Sequence, residues 1–392
     1  MRPENITGFF FWLSFVLLAY VYLGYPLVLA FLTAFKRRED ATPIGPHPKV
    51  TLIISAFNEQ DVIAAKLNNA LELEYPKPLL QIMVVSDDST DLTDEIVSRF
   101  EPMGVLLVRQ QRRLGKSAGL NLGVSHANGE ILVFSDANAL YKKDAILHLV
   151  KHFSNPQVGY VVGNARYVEK ASETQSAQAE GLYWKLETWL KKKESLFHSV
   201  IGGDGAIYAI RRILYSPLEP TDISDFLNPL QIIDSGYLGT FEPAAISYEE
   251  TAESFRKEYR RKIRIVSRSL NALRRVPRVL SPFHEPRHWF LLVSHKLLRW
   301  FAPVFMISAL ICAVLLLRFP LFRWMVGLQL AFYVLAVFGW LTAESKTAWK
   351  ICTFPYYFCL VNLASLIGCA KCLRGDLSGV WTPPRQKESA KA

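Results

Sequence analysis

Residues 50–59 read VTLIISAFNE and contain the first of three short apolar runs that decide the fold of this chain. Acidic or amide side chains follow each run within a few residues: Asn58 and Glu59 follow 51–55, Asp87 and Asp88 follow 82–86, and Asp136 and Asn138 follow 131–135. Short apolar runs are typical of buried parallel strands, and ligands bind beyond the carboxyl ends of such strands. These polar side chains are therefore predicted to face one crevice.

The charge of the chain indicates what this crevice binds. The 392 residues carry a net charge of +10, yet several carboxylates are predicted to meet at one place. Oxygen ligands of this kind suit a hard metal ion that holds a phosphate-bearing ligand. We therefore expect a nucleoside-diphosphate site.

Strands and helices alternate through the first half of the chain. Predicted strands cover 51–55, 82–86, 105–108 and 131–134, and predicted helices cover 59–73, 90–100 and 116–126. Such alternation predicts a parallel sheet wound by right-handed crossovers. Asp91 is interpreted as a capping acid of the second helix.

The second half is less regular. We predict strands at 158–162, 199–201 and 206–210, a long helix at 174–196 and a further helix at 227–235. Asp225 precedes the last helix, where an acid can simply cap the helix. Its role as cap or as functional acid is open at this point, and Asp222 and Asp204 are the neighbouring alternatives.

Residues 255–278 hold ten arginines and lysines against one acid, Glu258, with apolar residues at helical spacing. A basic helix of this kind suits nucleic acid, anionic lipid or a substrate pyrophosphate. Because membrane segments follow it directly, we favour lipid or pyrophosphate and expect no nucleic-acid partner.

Half of the residues, 51%, are hydrophobic, and four long apolar runs account for much of this. Residues 9–35 are predicted to span a membrane, with a cytoplasmic exit at Lys36, Arg37 and Arg38. Residues 301–317, 324–342 and 351–369 are the other predicted spans, and 288–300 reads as a helix at the membrane surface. Four spans place the basic tail outside, so either one span is re-entrant or the tail is an exception.

The predicted domains are an amino-terminal transmembrane helix (1–38), a cytoplasmic α/β domain (41–286), an interfacial helix (287–300), about three carboxy-terminal transmembrane helices (301–372) and a polar tail (373–392). All five cysteines lie in or beside the apolar segments, so no disulfide framework is expected. We interpret His284 and His288 as surface histidines, because Pro286 interrupts the helix between them.

From residue 50 to 273 the motifs resemble the membrane-bound glycosyltransferases of family 2, which include cellulose, chitin, hyaluronan and poly-N-acetylglucosamine synthases. The motifs are VTLIISAFNE at 50–59, VVSDDSTD at 84–91, LGK at 114–116, FSDAN at 134–138, GGDGA at 202–206 and SDF at 224–226. The resemblance implies a GT-A nucleotide-sugar-binding domain, a Rossmann-like mixed sheet, in a multi-pass protein of a bacterial cell membrane.

The resemblance also implies roles for individual residues. Asn58, Glu59, Asp87, Lys116, Asp136 and Arg261 would bind the nucleotide sugar, with Asp87 contacting uracil; Asp136 and Asn138 would hold Mg²⁺ or Mn²⁺; Gly203 and Asp204 would lie on the acceptor side; and Asp225 would be the general base. Two positions depart from the family pattern. Asn138 replaces a common aspartate, and no Trp follows Arg261, which weakens the prediction of processive synthesis.

The expected reaction is an inverting transfer from a UDP-sugar to a growing polysaccharide or a lipid-linked acceptor. One base without a nucleophilic carboxylate predicts direct displacement at the anomeric carbon. We favour an exported polysaccharide over single transfer to a polyprenyl phosphate or other lipid carrier. A nucleotidyltransferase is disfavoured because residues 55–61 contain neither a glycine nor a basic residue. The non-enzymatic alternative is a membrane-anchored module that binds nucleotide sugars.

Overall fold

The structure is a computed structural model that describes residues 3–36, 45–168, 175–250, 255–343 and 350–377. Eight strands form one sheet: β1 (Val50–Ala56), β2 (Leu80–Ser86), β3 (Val105–Arg109), β4 (Ile131–Asp136), β5 (Leu140–Tyr141), β6 (Val158–Val168), β7 (Tyr208–Arg211) and β8 (Leu238–Glu250).

The helices are α1 (Pro3–Ala19), α2 (Tyr25–Leu32), α3 (Ile63–Leu71), α4 (Thr93–Ser98), α5 (Lys116–His126), α6 (Ala145–Val150), α7 (Gln175–Phe197), α8 (Ser224–Asp234), α9 (Phe255–Ala272), α10 (Pro286–Leu292), α11 (Leu298–Trp300), α12 (Ala302–Leu315), α13 (Pro320–Leu341) and α14 (Lys350–Arg374). Two π-helical segments, Tyr20–Gly24 and Val293–Leu297, connect α1 to α2 and α10 to α11.

The sheet confirms the predicted mixed α/β fold. Its strand order is β3-β2-β1-β4-β7-β6-β8-β5, and the first four strands are parallel, with Val50 opposite both Leu80 and Ile131. Side chains of successive residues point to opposite faces of a strand, so Leu52 and Ile54 enter one apolar core and Ile53 enters the other. Burial of both faces explains the continuous apolar runs.

The sheet becomes irregular beyond β4. β7 runs antiparallel to both β4 and β6, whereas β6 and β8 are parallel with two register shifts. The predicted strand at 199–201 is wrong: this segment is a loop, in which Val200 N–H donates to Gly239 O at 3.2 Å. β7 starts at residue 208, not 206, and sequence analysis did not predict β5 or β8.

Several predicted helix boundaries are also wrong, and local hydrogen bonds explain two of them. α3 begins at residue 63, not 59, because the backbone N–H of Glu59 instead donates to Thr93 Oγ1 at 2.8 Å. α4 begins at Thr93, whose N–H donates to Asp91 Oδ1 at 3.0 Å, as expected for a capping acid. α8 begins at Ser224, so Asp225 lies inside the first turn and does not precede the helix.

Among the described residues, three helices are long and apolar enough to cross a membrane: Pro3–Leu32, Pro320–Thr342 and Ile351–Arg374. α12 has only 14 residues, too few to span a bilayer of about 30 Å on its own. Together with Pro286–Trp300 it forms a pair bent by 57°, either a broken span or a re-entrant one. Arg37, Arg38 and residues 378–392 of the tail lie outside the described residues.

The segment predicted to lie at the membrane surface contains buried histidines. His288 and His295 are 0% and 2% exposed, so the surface assignment of His288 is wrong. His295 Nδ1 contacts Glu194 Oε1 at 2.5 Å, and Glu194 also accepts hydrogen bonds from Tyr25 Oη at 2.6 Å and Ile201 N–H at 3.1 Å. One buried carboxylate thus joins the amino-terminal helix, α7, the bent segment and the loop after α7.

Candidate active site

The loops after β1 and β2 bind each other. Asn58, in the left-handed conformation at φ 52°, accepts a hydrogen bond from Thr90 N–H at 2.8 Å. Glu59 is tied to Thr93 through its backbone. The loops that follow these two neighbouring parallel strands are therefore held together by hydrogen bonds. The role of Asn58 and Glu59 in nucleotide binding stays a prediction.

Asp87 positions the glycine-lysine turn that precedes α5. Its carboxylate accepts hydrogen bonds from Gln110 Nε2 at 2.6 Å, Leu114 N–H at 2.8 Å and Gly115 N–H at 2.9 Å. Burial raises the pKa of Asp87, and these backbone N–H groups oppose that shift. Gly115 has φ +90°, which favours glycine. Contact of Asp87 with uracil stays a prediction.

Lys116 begins α5 and forms an ion pair with Asp136 at the end of β4. Although burial opposes it, the charge of Asp136 raises the pKa of Lys116. A second lysine lies near the end of β4. Lys66 is fully buried and donates a hydrogen bond to the carbonyl of Ala139, in the turn that follows the strand. Burial lowers the pKa of Lys66 to about 7. The sequence analysis missed Lys66 because a single lysine in an amphipathic helix normally faces solvent.

Asp225, in the first turn of α8, lies close to Asp136 and Lys116. A Cβ built on Gly205 would lie 3.3 Å from Asp225 Oδ2, 3.5 Å from Asp136 Oδ2 and 3.6 Å from Lys116 Nζ. Gly203 N–H donates to the carbonyl of Asp225, and a Cβ on Gly203 would lie 2.8 Å from that oxygen. Glycines in this loop thus allow the backbone to approach the two carboxylates closely.

The structure separates the three acids that were candidates for the base. Asp222 accepts hydrogen bonds from Arg275 at 2.8 Å and from Glu219 N–H at 2.7 Å, and Asp204 forms an ion pair with Lys191 at 3.3 Å. All three line the same cavity, and Asp225 is the one whose carboxylate lies with Asp136 and Lys116 around Gly205. Burial raises the pKa of the Asp225 carboxyl, Lys116 opposes that shift, and Asp204 and Asp136 add to it. Asp225 therefore matches the properties of a proton acceptor best.

The basic helix α9 forms one wall of the site. Arg261 pairs with Glu258 at 2.6 Å, and Lys262 pairs with the same carboxylate at 3.5 Å. Arg264 and Arg268, one and two turns further, line the cavity with Arg261. Burial, followed by the charge of Arg268, lowers the pKa of Arg264 to about 10. Sequence analysis predicted Arg261 as the nucleotide-binding arginine of this helix. It did not include Arg264 and Arg268, although their i, i+4 spacing indicates that they lie on the same face of α9.

A cavity of about 1150 Å³ connects these side chains to the helices that are apolar enough to cross a membrane. Asp136, Asp225, Glu249 and Arg264 line its inner part, and residues of the amino-terminal helix, α13 and α14 line its outer part. Sequence analysis missed Glu249, whose pKa is raised by burial and by nearby Asp136 and Asp204. Glu249 lies on β8, the strand that was not predicted.

The residues present fit a divalent cation that is completed by substrate. Among the described residues, no group of three or more His, Cys, Asp or Glu could hold a metal ion by itself. Asp136 lines the cavity and Asn138, in the turn after β4, is absent from its described lining. Mg²⁺ and Mn²⁺ commonly use one or two carboxylates together with substrate phosphates and water. Asp136 satisfies that requirement, and Asn138 as a ligand stays a prediction.

Part of this chain is similar in sequence to known glycosyltransferases. Residues 51–215 match the model of glycosyl transferase family 2. The probable glycosyltransferase YdaM of Bacillus subtilis is 32% identical over 238 residues, which cover 55% of this chain and 54% of YdaM. The poly-beta-1,6-N-acetyl-D-glucosamine synthase of Staphylococcus aureus strain MSSA476 is 26% identical over 221 residues, 55% of this chain and 53% of that protein. The chain thus spans about half the length of these relatives.

Among solved structures, a mannosyltransferase from Pyrobaculum calidifontis in complex with GDP-Man and Mn²⁺ has the same fold, with a TM-score of 0.69. It is 22% identical, and the match covers 93% of this chain and 99% of the mannosyltransferase. The GT-A architecture is therefore shared by the α/β domain and its flanking helices. Residues 51–215 are a glycosyl transferase family 2 domain with this fold.

Proposed function

We propose that the chain transfers a sugar from a nucleoside-diphosphate sugar, with UDP as the expected nucleotide, to an acceptor hydroxyl that reaches the site from the membrane side. One observation carries the proposal: Asp136, Lys116 and Asp225 meet around Gly205 at the inner end of a cavity that continues between membrane helices. The family 2 match of residues 51–215 supports the reaction type.

The donor would bind beside the ends of the parallel strands β1 to β4. Its diphosphate lies toward Asp136, and the cations of Lys116, Arg261 and Arg264 offset its negative charge. A divalent cation held by Asp136 would neutralise the developing charge of the leaving nucleoside diphosphate. Positive groups in a partly enclosed site act strongly because little water screens them.

Asp225 would be the general base. The acceptor hydroxyl attacks the anomeric carbon, its proton moves to the Asp225 carboxylate, and the bond between that carbon and the diphosphate oxygen breaks with its electron pair leaving on the nucleotide. A second carboxylate is not needed as a nucleophile, so the anomeric configuration inverts. Burial raises the pKa of Asp225, which makes it a stronger base than an exposed aspartate.

The experiment uses the purified full chain in nanodiscs with radiolabelled UDP-sugars or GDP-sugars and Mn²⁺ or Mg²⁺. We expect release of the nucleoside diphosphate, loss of that release on chelation, and a product of inverted anomeric configuration. A protein that binds the nucleotide sugar without turning it over in any donor and metal combination would support the non-catalytic alternative. A retained configuration would contradict the single-base mechanism.

Two acceptor classes follow from the position of the cavity. A growing glycan could leave through it toward the membrane, as in polysaccharide synthesis, and the relationship to the poly-N-acetylglucosamine synthase supports this class. A lipid-linked acceptor could enter through it, and a beta-monoglucosyldiacylglycerol synthase of Nostoc, 29% identical over 167 residues, supports that class. The apolar side chains that line the outer part of the cavity favour a lipid-linked acceptor.

A further inference from the structure

The pairing of β4 with β7 ends before it reaches the two carboxylates of the site, Asp136 and Asp225. Its last pair is Phe134 opposite Tyr208. Asp136 lies two residues beyond Phe134. Gly205, around which both carboxylates lie, comes three residues before Tyr208. The hydrogen bonds of the ladder therefore do not by themselves fix the distance between Asp136 and the glycine loop.

The side chain of Tyr141, on β5, joins the two backbones just past the end of this ladder. Tyr141 is 3% exposed, and its hydroxyl donates to the carbonyl of Phe134 at 3.1 Å and to the carbonyl of Ala206 at 3.0 Å. A phenol carries one hydrogen, so the two carbonyls share it in a three-centre bond. Phe134 precedes Asp136 by two residues, and Ala206 directly follows Gly205. Tyr141 thus ties the end of β4 to the glycine loop.

Two residues of α3 hold Tyr141 and the turn before it. Asn69 Nδ2 donates to the carbonyl of Tyr141 at 2.8 Å, and Tyr141 N–H donates to Asn69 Oδ1 at 2.7 Å. The ammonium of the buried Lys66 lies 3.9 Å from the centre of the Tyr141 ring and donates to the carbonyl of Ala139. Ala139 N–H donates to the carbonyl of Asp136 at 3.3 Å, which closes the turn. A cation over a desolvated aromatic ring is a favourable contact, so Lys66 fixes the ring and the turn together.

We propose that Tyr141 and Lys66 are positioning residues for the transfer step, which together set the distance between Asp136 and the loop 203–206 that lies against Asp225. Neither side chain is among the described residues that line the cavity, so both act through the backbone around the site and not on the substrate. The proposal rests on the proposed function, in which Asp136 faces the donor diphosphate and Asp225 is the base.

The distance between these two parts of the site matters because each serves a different reactant. In the proposed function the donor is held beside Asp136, and the acceptor hydroxyl meets Asp225. A displacement of about 1 Å between reacting groups can lower a rate about a hundredfold. Binding of the donor nucleotide depends on the strand ends of the parallel half alone. Loss of the Tyr141 hydroxyl should therefore slow transfer and leave nucleotide binding nearly unchanged.

The first variant is Tyr141→Phe, which removes one oxygen atom and keeps the ring under Lys66. With the full chain in nanodiscs, labelled donor and Mn²⁺, we expect kcat for transfer to fall at least about tenfold. The Kd of the nucleoside diphosphate in Mn²⁺, measured by calorimetry, should stay within about twofold of the parent value. An unchanged kcat, or a Kd that rises as much as kcat falls, overturns the positioning role. A parent chain that turns over no donor contradicts the proposed function, and the positioning role is rejected with it.

Tyr75→Phe is the matched control, because it removes the same kind of buried hydrogen bond far from the site. Tyr75 is 4% exposed, and its hydroxyl donates to the carbonyl of Pro48 at 2.6 Å. Pro48 precedes β1, whose seven residues place it about 20 Å from the strand ends that carry the site. We expect both variants to lower the Tm by about 2–4 °C and only Tyr141→Phe to lose transfer. Equal losses of transfer in the two variants would assign the effect to stability and overturn the proposal.

A double-mutant cycle tests whether Lys66 and Tyr141 act as one unit. Lys66→Met keeps an unbranched side chain and removes the cation over the ring, and we expect kcat to fall about threefold or more. Because both residues hold the same turn, the double variant Lys66→Met/Tyr141→Phe should be about as slow as the slower single variant. Losses that multiply in the double variant overturn the joint role. Nucleotide binding reports folding, and if Lys66→Met does not fold, the comparison of Tyr141→Phe with Tyr75→Phe decides the proposal.

Discussion

The two halves of the sheet build the site in different ways. In the parallel half, Asn58, Asp87 and Asp136 each lie at or just after the end of a strand, and they share one edge of the sheet because parallel strands end at the same edge. In the mixed half, β6 to β8 with α7 and α8, the residues meet through long-range contacts. Gly203 binds the carbonyl of Asp225, and Glu194 on α7 accepts from Ile201.

The difference indicates a division of labour. In the proposed function, the parallel half provides a rigid surface for the donor nucleotide, and the mixed half positions the proposed base and acceptor loop against the candidate membrane helices. If this division holds, substitutions in the two halves should separate nucleotide binding from transfer. The following predictions run from the largest expected effect to the smallest.

Asp136→Ala should abolish transfer and strongly weaken nucleoside-diphosphate binding in Mg²⁺ or Mn²⁺. The side chain is the carboxylate of the parallel half that faces the cavity, and a metal-supported leaving group is worth several kcal/mol, a loss of about a thousandfold or more. Calorimetry of nucleotide binding and a transfer assay, each with and without chelator, measure the two effects. Unchanged, chelator-resistant activity would contradict both the metal and the role of Asp136.

Asp225→Asn should retain nucleotide binding and thermal stability and lose transfer by at least about a hundredfold, because an amide does not accept a proton at neutral pH. Asp225 lies inside the first turn of α8, so the substitution removes no helix cap. Asp234→Asn at the other end of the same helix is the control and should remain active. Near-normal turnover by a folded, nucleotide-binding Asp225→Asn would place the base elsewhere.

Glu194→Gln should lower the free energy of unfolding by about 1–3 kcal/mol, because an amide NH₂ would replace one of the two oxygens that contact Tyr25 Oη, Ile201 N–H and His295 Nδ1. Thermal unfolding in detergent measures this change. Glu95→Gln, an exposed position paired only with Arg99 at 2.6 Å among the described contacts, should change stability by less than about 0.5 kcal/mol. Equal stability of both variants would show that the buried carboxylate does not hold the amino-terminal helix and the bent segment to α7.

Gly205→Ala should lower transfer about tenfold with little change in stability, since the added methyl group occupies the space between Asp225, Asp136 and Lys116. Nucleotide binding should fall less than transfer does if this space belongs to the acceptor and the reacting carbon. Steady-state kinetics with donor and acceptor varied separately resolve the two. A larger effect on KM for the donor than on kcat would indicate that Gly205 contributes to donor binding.

Asp91→Ala should destabilise the chain by only about 0.5–2 kcal/mol and leave the rate of transfer unchanged. Asp91 Oδ1 accepts from Thr93 N–H at 3.0 Å, which makes it a capping acid of α4. Thermal unfolding and the transfer assay measure the pair of outcomes. A loss of transfer without a loss of stability would assign Asp91 to the nucleotide site and weaken the distinction between capping and binding acids in the parallel half.

The sequence predicted the parallel half well because its signals are local. Apolar runs of strand length, helical periodicity and polar residues after each strand lie within about ten residues of one another, and strand ends of a parallel sheet share one edge. Even there the boundaries shifted, because Thr93 and Asp91 formed side-chain hydrogen bonds that compete with helix initiation. The prediction of a strand at residues 199–201 failed because a segment of three residues, Ser-Val-Ile, carries no information on a partner strand.

By itself, the sequence determined the order of strands and helices in the first half and the long apolar segments, and it offered Asp136 and Asp225 as candidate functional acids. Only the tertiary structure decided that Asp225 faces Asp136 while Asp222 and Asp204 are held by Arg275 and Lys191. It also decided that Lys66, Glu249, Arg264 and Arg268 surround the site. The reason is physical: burial and charge pairing in the site depend on residues that can be more than a hundred positions apart, such as Lys116 and Asp225, and periodicity reports only near neighbours.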